Sequence, residues 1–297
     1  MVESEPLIRW PQPIVEFVGF AALFLASGAV GFRYAVAGRV GGAASEAGER
    51  SVLAAAARRA AGLGLAGAVL GAALFIRVLP QLAARRHLAV GPLLAGSPPL
   101  ALQAILMLAA IVGFTIALAG RGAGWPLAAV GVIAGALRMA FFAQWTRLVN
   151  PLHMLAGGLW IGTLFVLVTA GFGAARRGAL PDERRVALMT RMVNAFSPLA
   201  LSAVPVLAAF GLVTAWTHLH AIRALWTTPY GVTLIVKLCV VAVVLALGAW
   251  NWRRQKRRMD SDAGAAALQR SARAELAVAA VVLAVTAVLV SLPSPRG

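Results

Sequence analysis

Long apolar stretches separated by short polar connections run along the whole chain of 297 residues. A helix needs about 20 mostly apolar residues to cross the hydrocarbon core of a bilayer. Stretches of about this length occur eight times, at residues 14–36, 60–79, 99–119, 125–145, 152–174, 196–219, 231–252 and 274–292. The pattern predicts an all-α, polytopic membrane protein with eight transmembrane helices.

The apolar runs are unbroken, whereas the strands of a membrane β-barrel alternate apolar and polar positions over about ten residues. Composition agrees, since 61% of the residues are hydrophobic and 12% are charged, against about 45–50% and about 25% in soluble domains. The connections are too short to hold a folded soluble domain. A barrel and a soluble enzyme are therefore excluded, and we expect one integral membrane domain.

The net charge of +17 first suggests nucleic-acid binding, but its distribution favours a role in membrane topology. Seventeen of the 27 Lys and Arg residues fall in the first, third, fifth and seventh connections, and six fall in the other connections and the tails. Cations concentrate in cytoplasmic loops. The odd connections are therefore expected in the cytoplasm and both termini in the periplasm, with a lipid bilayer and no nucleic acid as partner.

This orientation brings all four histidines, His87, His153, His218 and His220, to the external side. Imidazole and thioether groups suit Cu(I), and imidazole also suits Cu(II) or Zn(II). His153 with Met154, His218 and His220 are the candidate metal ligands. Residues i and i+2 of a helix point roughly 200° apart, so His218 and His220 share a site only where the helix has unwound. From the residues alone, hydrogen-bonded interfacial histidines remain the simpler interpretation.

Glu16 lies in the outer part of the first predicted span, and Arg77, Arg138 and Lys237 are the cations at comparable depth; Glu16, Arg138 and Lys237 are the candidates. Ionisable groups in a membrane are costly and are candidates for function. Two interpretations stay open. Glu16 pairs with Arg138 or Lys237 as a structural ion pair, or the three residues line an ion path.

Two short motifs predict local structure. Gly158 and Gly162 flank Trp160 at a small-x-x-x-small spacing, which lets two helix backbones approach closely. The Thr228-Pro229-Tyr230 turn precedes the seventh span, and its proline, with the glycine that follows, breaks the helix there.

The second half of the chain resembles the CopD copper-resistance family. The resemblance covers roughly residues 150–295 and is carried by the segments LHMLAGGLWIG (152–162), FSPLA (196–200), AW (215–216), LWTTPYG (225–231), KL (237–238), Asn251 and RSARAEL (270–276). It implies a CopD-like four-helix half at 151–297, which follows an N-terminal four-helix half at 1–150. The first four helices match the family only in number and hydropathy.

The resemblance implies a multi-pass protein of the bacterial inner membrane that handles copper, as Cu(I) or Cu(II). It also implies a separate periplasmic CopC-like copper-binding protein as a partner. Many family members carry a Gly-His pair near the outer end of the preceding helix, where this chain reads FFAQW (141–145). His218 and His220 are extra, so the ligand set is rearranged or copper handling is lost.

The leading hypothesis is a copper transport or resistance protein that captures the ion at the periplasmic face and moves it across the membrane. One alternative is a redox protein that holds haem between His153 and a histidine of the sixth helix. Another is a copper-binding sensor or assembly factor without transport. An enzyme is not expected, because no nucleophile with a base, paired carboxylates or phosphate-binding loop appears.

Overall fold

The computed structural model describes residues 8–42, 46–138, 142, 148–219, 221–258 and 262–293, with the side chains of 251–258, 262–269 and 271 left undescribed. Within these residues the fold is all helical, without strands. The helices are α1 (Gln12–Gly42), α2 (Ala47–Arg85), α3 (Val90–Ala95), α4 (Pro98–Leu118), α5 (Gly124–Leu137), α6 (Val149–Arg177), α7 (Asp182–Leu219), α8 (Ala224–Thr227), α9 (Pro229–Arg258) and α10 (Asp262–Ser291). The prediction of an all-α fold is confirmed.

Seven of these helices are long and apolar enough to cross a membrane. They are α1, α2, α4, α6, α7, α9 and α10. The remaining predicted span, 125–145, corresponds to α5, which has 14 residues and ends at Leu137. Fourteen residues rise only about 21 Å, against a hydrocarbon core of about 30 Å. Most of 139–147 lies outside the described residues, so eight spans and two periplasmic termini stay predictions.

Helices α2 and α7 are much longer than their apolar stretches, with 39 and 38 residues. The sequence prediction started these spans at residues 60 and 196, because hydropathy reports only the part that lies in lipid. The charged segments before these two points continue the same helices. Both helices therefore have polar N-terminal extensions.

The chain divides into two compact units. The larger unit comprises residues 22–210, and the smaller unit comprises the N-terminal residues up to 21 together with 211–297. The predicted division into halves at residue 150 rests on the family resemblance and stays a prediction.

Helices of the larger unit pack through glycines. In the α4–α5 pair, a Cβ at Gly113 would overlap the backbone of Ala128, and one at Gly131 would overlap the backbone of Ala110. Next to this pair, the ring of Phe114 packs against Gly64 of α2 and meets Trp125 edge-on, with ring centroids 6.0 Å apart. The small residues therefore let helix backbones pack at close range without large side chains between them.

Ion pairs join the polar extensions of α2 and α7. Arg191 binds Glu49, whose side chain is only 10% exposed, and Arg184 binds Glu46, whose side chain is 46% exposed. We call these four residues the ion-pair clasp. Its two pairs connect positions 142 and 138 residues apart in the sequence.

Replacement of Arg191 by methionine is expected to lower the free energy of unfolding by about 1–3 kcal/mol, because it strands the buried carboxylate of Glu49 without its cation. The matched change Arg184→Met removes an exposed pair and is expected to cost less than about 1 kcal/mol. Thermal unfolding of the purified variants in detergent measures both. Equal losses would show that burial of Glu49 does not set the strength of its pair.

Candidate metal-binding residues

His153 lies in the second turn of α6, and its Nδ1 atom is 3.1 Å from the carbonyl oxygen of Leu207 on α7. A carbonyl only accepts hydrogen bonds, so Nδ1 carries the proton. Pro151 lies in the first turn of the same helix, where a missing N–H costs no intrahelical bond. The half-buried ring of His153 is therefore held against α7, with the half-buried Met154 next to it in the chain.

His218 lies in the last turn of α7. Its Nδ1 atom is 2.7 Å from the carbonyl oxygen of Thr214, one turn earlier, and 3.3 Å from the hydroxyl of Thr217. The carbonyl again requires the proton on Nδ1, which leaves a lone pair on Nε2. Metal-binding histidines are commonly held in this way, with the second nitrogen bonded to a carbonyl or carboxylate. The half-buried His218 thus has a fixed tautomer with Nε2 as its donor atom for a metal.

Tyr230 fixes the plane of the His218 ring. The two rings are stacked, with centroids 5.7 Å apart and planes 8° from parallel. Tyr230 is buried in a cluster with Leu219, Leu234 and Leu289. The stacking therefore anchors a half-buried imidazole to a buried aromatic ring.

The turn before Tyr230 is a helix cap. Thr228 has an extended backbone, its hydroxyl accepts the N–H of Gly231 at 3.0 Å, and it donates to the carbonyl of Ala224 at 2.7 Å. Pro229 occupies the first position of α9, where its fixed φ suits a helix start. A Cβ at Gly231 would overlap the carbonyl oxygen of Ala224, so only glycine allows this approach of α8.

The sequence interpretation of this turn was incomplete. Proline and glycine predicted a helix break. The structure shows in addition that Thr228 is the N-cap of α9, and that Tyr230 in the first turn of α9 stacks on His218. The signal was present, because a threonine directly before a proline is typical of a helix N-terminus. The stacking itself gave no local signal, since the two residues lie on different helices.

Gly158 and Gly162 lie at a close helix crossing within the larger unit. A Cβ at Gly162 would overlap the carbonyl of Phe24, and one at Gly28 would overlap the carbonyl of Gly162. Nearby, the fully buried hydroxyl of Thr163 lies 3.5 Å from the carbonyl oxygen of Gly28. The backbones of α1 and α6 therefore touch, and the half-buried Trp160 lies on the same stretch of α6.

This stretch of α6 is a π-helical turn, Gly158–Gly162, and a second one follows at Leu167–Gly171. Helix α1 has a third at Phe32–Ala37. π-helical turns are rare in proteins, and those that occur are often found at functional sites. Both π turns of α6 come after His153 in the chain.

Two of the three charged candidates make local hydrogen bonds. Glu16 accepts a hydrogen bond from the side-chain amide of Gln12 at 2.5 Å, and Arg138 donates to the carbonyl of Gly135 at 3.1 Å. Lys237 is half-buried on α9. Within the described residues, Glu16 and Lys237 form no ion pair with each other. The ion path and the structural pair both stay predictions.

The predicted ligands do not all belong to one compact unit of the structure. His153 and Met154 belong to the larger unit, His218 belongs to the smaller one, and His220 lies outside the described residues. Across the part of the chain that is described, no three His, Cys, Asp or Glu residues cluster in a way that could hold a metal ion. A metal site shared by these residues stays a prediction. The feature that the structure does show is the set of contacts that orient His218.

Comparison with known proteins links this environment to a family. Residues 190–289 match the family model described as copper resistance protein D, CopD. The chain is also 32% identical over 150 residues to the copper transport protein CutJ of Bacillus subtilis (strain 168), which covers 50% of this chain. The match covers only 25% of that relative. No solved structure matches the chain significantly.

The matched segment begins on α7 and ends on α10, and it contains His218, the Thr228 cap, Tyr230 and Lys237. The motifs of the second half had predicted this match. The prediction of a resemblance to CopD is confirmed: residues 190–289 match the model of that family, and half of the chain is similar to one quarter of a copper transport protein.

Proposed function

We propose that this chain takes up copper at the end of α7 and moves it across the membrane. The observation that supports this most directly is the environment of His218, in which Thr214 fixes the tautomer and Tyr230 fixes the ring plane. It lies inside the segment that matches CopD. A neutral imidazole whose Nδ1 carries the proton presents the lone pair of Nε2, which is the donor that a metal ion requires.

His153, Met154 and His220 are proposed to complete the capture site. His153 also carries its proton on Nδ1, and Met154 supplies a thioether. Imidazole with thioether favours Cu(I), whereas imidazoles alone also accept Cu(II). The name of CutJ as a copper transport protein supports copper as the cargo. Glu16, Arg138 and Lys237 are proposed to line the path or to neutralise one another beside it.

The proposed setting follows from the charge distribution. We propose capture at the periplasmic face of the inner membrane by a chain with eight spans and both termini outside, with a soluble CopC-like protein as donor or acceptor. Haem ligation by His153 and a histidine of α7 remains a hypothesis without a structural observation that favours it.

Copper flux into proteoliposomes separates transport from binding alone. Vesicles with the full chain are expected to accumulate copper in their lumen faster than empty vesicles, with Cu(I) kept reduced in one series and Cu(II) supplied in another. The readout is an encapsulated copper-sensitive dye, and an inverted-orientation preparation gives the direction. Stoichiometric binding without flux would reject transport and favour a sensor or assembly factor.

A further inference from the structure

We propose that Arg59 and Arg177 form a binding site for a phosphate group, separate from the proposed copper site. Arg59 lies on α2 and Arg177 ends α6, and both guanidinium groups lie over Gly173. A Cβ placed on Gly173 would be 2.8 Å from Nη2 of Arg177 and 3.9 Å from Nη1 of Arg59. The two nitrogens are therefore less than 7 Å apart, and the absence of a side chain at Gly173 lets the two guanidinium groups lie over the backbone of α6.

The charges of this pair are not neutralised by the protein. Among the described residues, neither guanidinium makes an ion pair with a carboxylate. Nη1 of Arg59 is moreover buried from solvent without a hydrogen-bond acceptor. By contrast, Arg184 and Arg191 of the clasp each bind a glutamate. A buried charged donor without an acceptor is costly, and two like charges at this distance repel each other. A bound anion removes both costs.

The geometry fits a tetrahedral oxyanion. Guanidinium groups bind phosphate oxygens through charge-assisted hydrogen bonds of about 2.7–2.9 Å. A single phosphate whose separate oxygens accept such bonds reaches between two nitrogens that are less than about 7 Å apart. The nitrogen that lacks an acceptor, Nη1 of Arg59, is one of the two nitrogens that lie over Gly173.

The position of the pair along its helices suggests where the phosphate comes from. No charged residue occurs between Arg59 and Arg77 on α2, or between His153 and Arg176 on α6. Both arginines therefore lie where a charge-free stretch ends, which is the depth of lipid headgroups. The phosphate of an anionic lipid and free inorganic phosphate share the chemistry that this site recognises.

The test uses the purified, delipidated full chain in detergent and two probes. Dioleoylphosphatidylglycerol is compared with dioleoylglycerol, which has the same chains without phosphate, by native mass spectrometry. Sodium phosphate is compared with sodium chloride at equal ionic strength by thermal shift. The variants are Arg59→Gln and Arg177→Gln, and the matched control is Arg58→Gln, which removes the exposed neighbouring charge.

We expect the wild type and Arg58→Gln to retain the phosphate probe and both site variants to bind it at least about fivefold more weakly. Gly173→Ala keeps both charges, but its methyl group would lie 2.8 Å from Nη2 of Arg177 and would displace that guanidinium group, so it is expected to weaken binding as well. Retention of phosphatidylglycerol with no effect of sodium phosphate assigns a lipid headgroup. Specific stabilisation by sodium phosphate, lost in the site variants, assigns a free phosphate.

Two results would overturn the proposal: equal weakening in Arg58→Gln, which indicates a diffuse positive field, or no preference of the wild type for either phosphate probe. Gly173→Ala keeps the proposal testable where a charge variant does not fold. None of these outcomes depends on copper, since His218 and its neighbours remain unchanged in every variant.

Discussion

Replacement of His218 by alanine is expected to lower copper affinity and copper flux by at least about tenfold. Loss of groups that only orient a metal-bound histidine already costs about 10–100-fold in affinity, so loss of the donor itself should cost no less. The change removes the Nε2 donor together with the hydrogen bond to Thr214 and the stack on Tyr230. Copper binding is measured by competition with a chelator of known affinity, and flux in proteoliposomes.

Two controls give this result its meaning. His87→Asn changes a histidine outside the proposed site, and asparagine tolerates the positive φ of 54° found there. Its copper affinity should equal that of the wild type. Tyr230→Phe keeps the stacked ring and should also bind normally, whereas Tyr230→Ala should weaken binding while Nε2 is still present. Unchanged copper affinity in a folded His218→Ala protein would remove this residue from the site.

The second large effect is expected on stability, from Gly162→Ala. The added methyl group would overlap the carbonyl of Phe24 and lie about 3 Å from the Cα atom of Gly28. Both neighbours are helix backbone, which cannot move aside as a side chain can. Overpacking of this kind costs about 1–3 kcal/mol or more, so we expect the free energy of unfolding to fall by about 3 kcal/mol.

In the matched control, the same type of substitution is expected to leave the free energy of unfolding unchanged or to raise it. Gly248→Ala adds the same methyl group to α9 at a position with open space around it. Alanine in a helix is favoured over glycine by about 0.5–1 kcal/mol, so this variant should be as stable as the wild type or slightly more stable. Thermal unfolding in detergent compares the two. Similar melting temperatures for both variants would contradict the close contact between α1 and α6.

The helical class of the protein and most of its spans followed from the sequence, because a bilayer imposes a length and an apolar composition on each crossing helix. Glycine spacing at 158 and 162 similarly predicted a packing position. Its partner, Gly28, was not predictable, since the contact joins residues more than a hundred positions apart. Local patterns report that a helix packs closely, but not against which helix.

Among the polar features, too, the local ones could be predicted from the sequence and the contacts between distant residues could not. The Thr228 cap is local and was readable from its threonine and proline, although only the helix break was inferred. The ion pair of Glu49 and Arg191 could not be predicted from the sequence. It joins the polar N-terminal parts of two helices, and the hydropathy pattern had predicted only the apolar parts of those helices. For the metal ligands, family resemblance pointed to copper, whereas the donor atom of His218 became visible only through its contact with Thr214.

The ion-pair clasp has a practical consequence for structure determination. The polar extensions of α2 and α7 each rise about 20 Å beyond the apolar stretch. Buried and exposed ion pairs join them, and Leu180 of the short connection before α7 packs on Gly48 of α2. A protein of 30.7 kDa with little mass outside the bilayer is a difficult particle for electron cryomicroscopy. A globular fusion partner inserted at the exposed Ala179 would be mounted next to the ion-pair clasp, as a fiducial for image alignment.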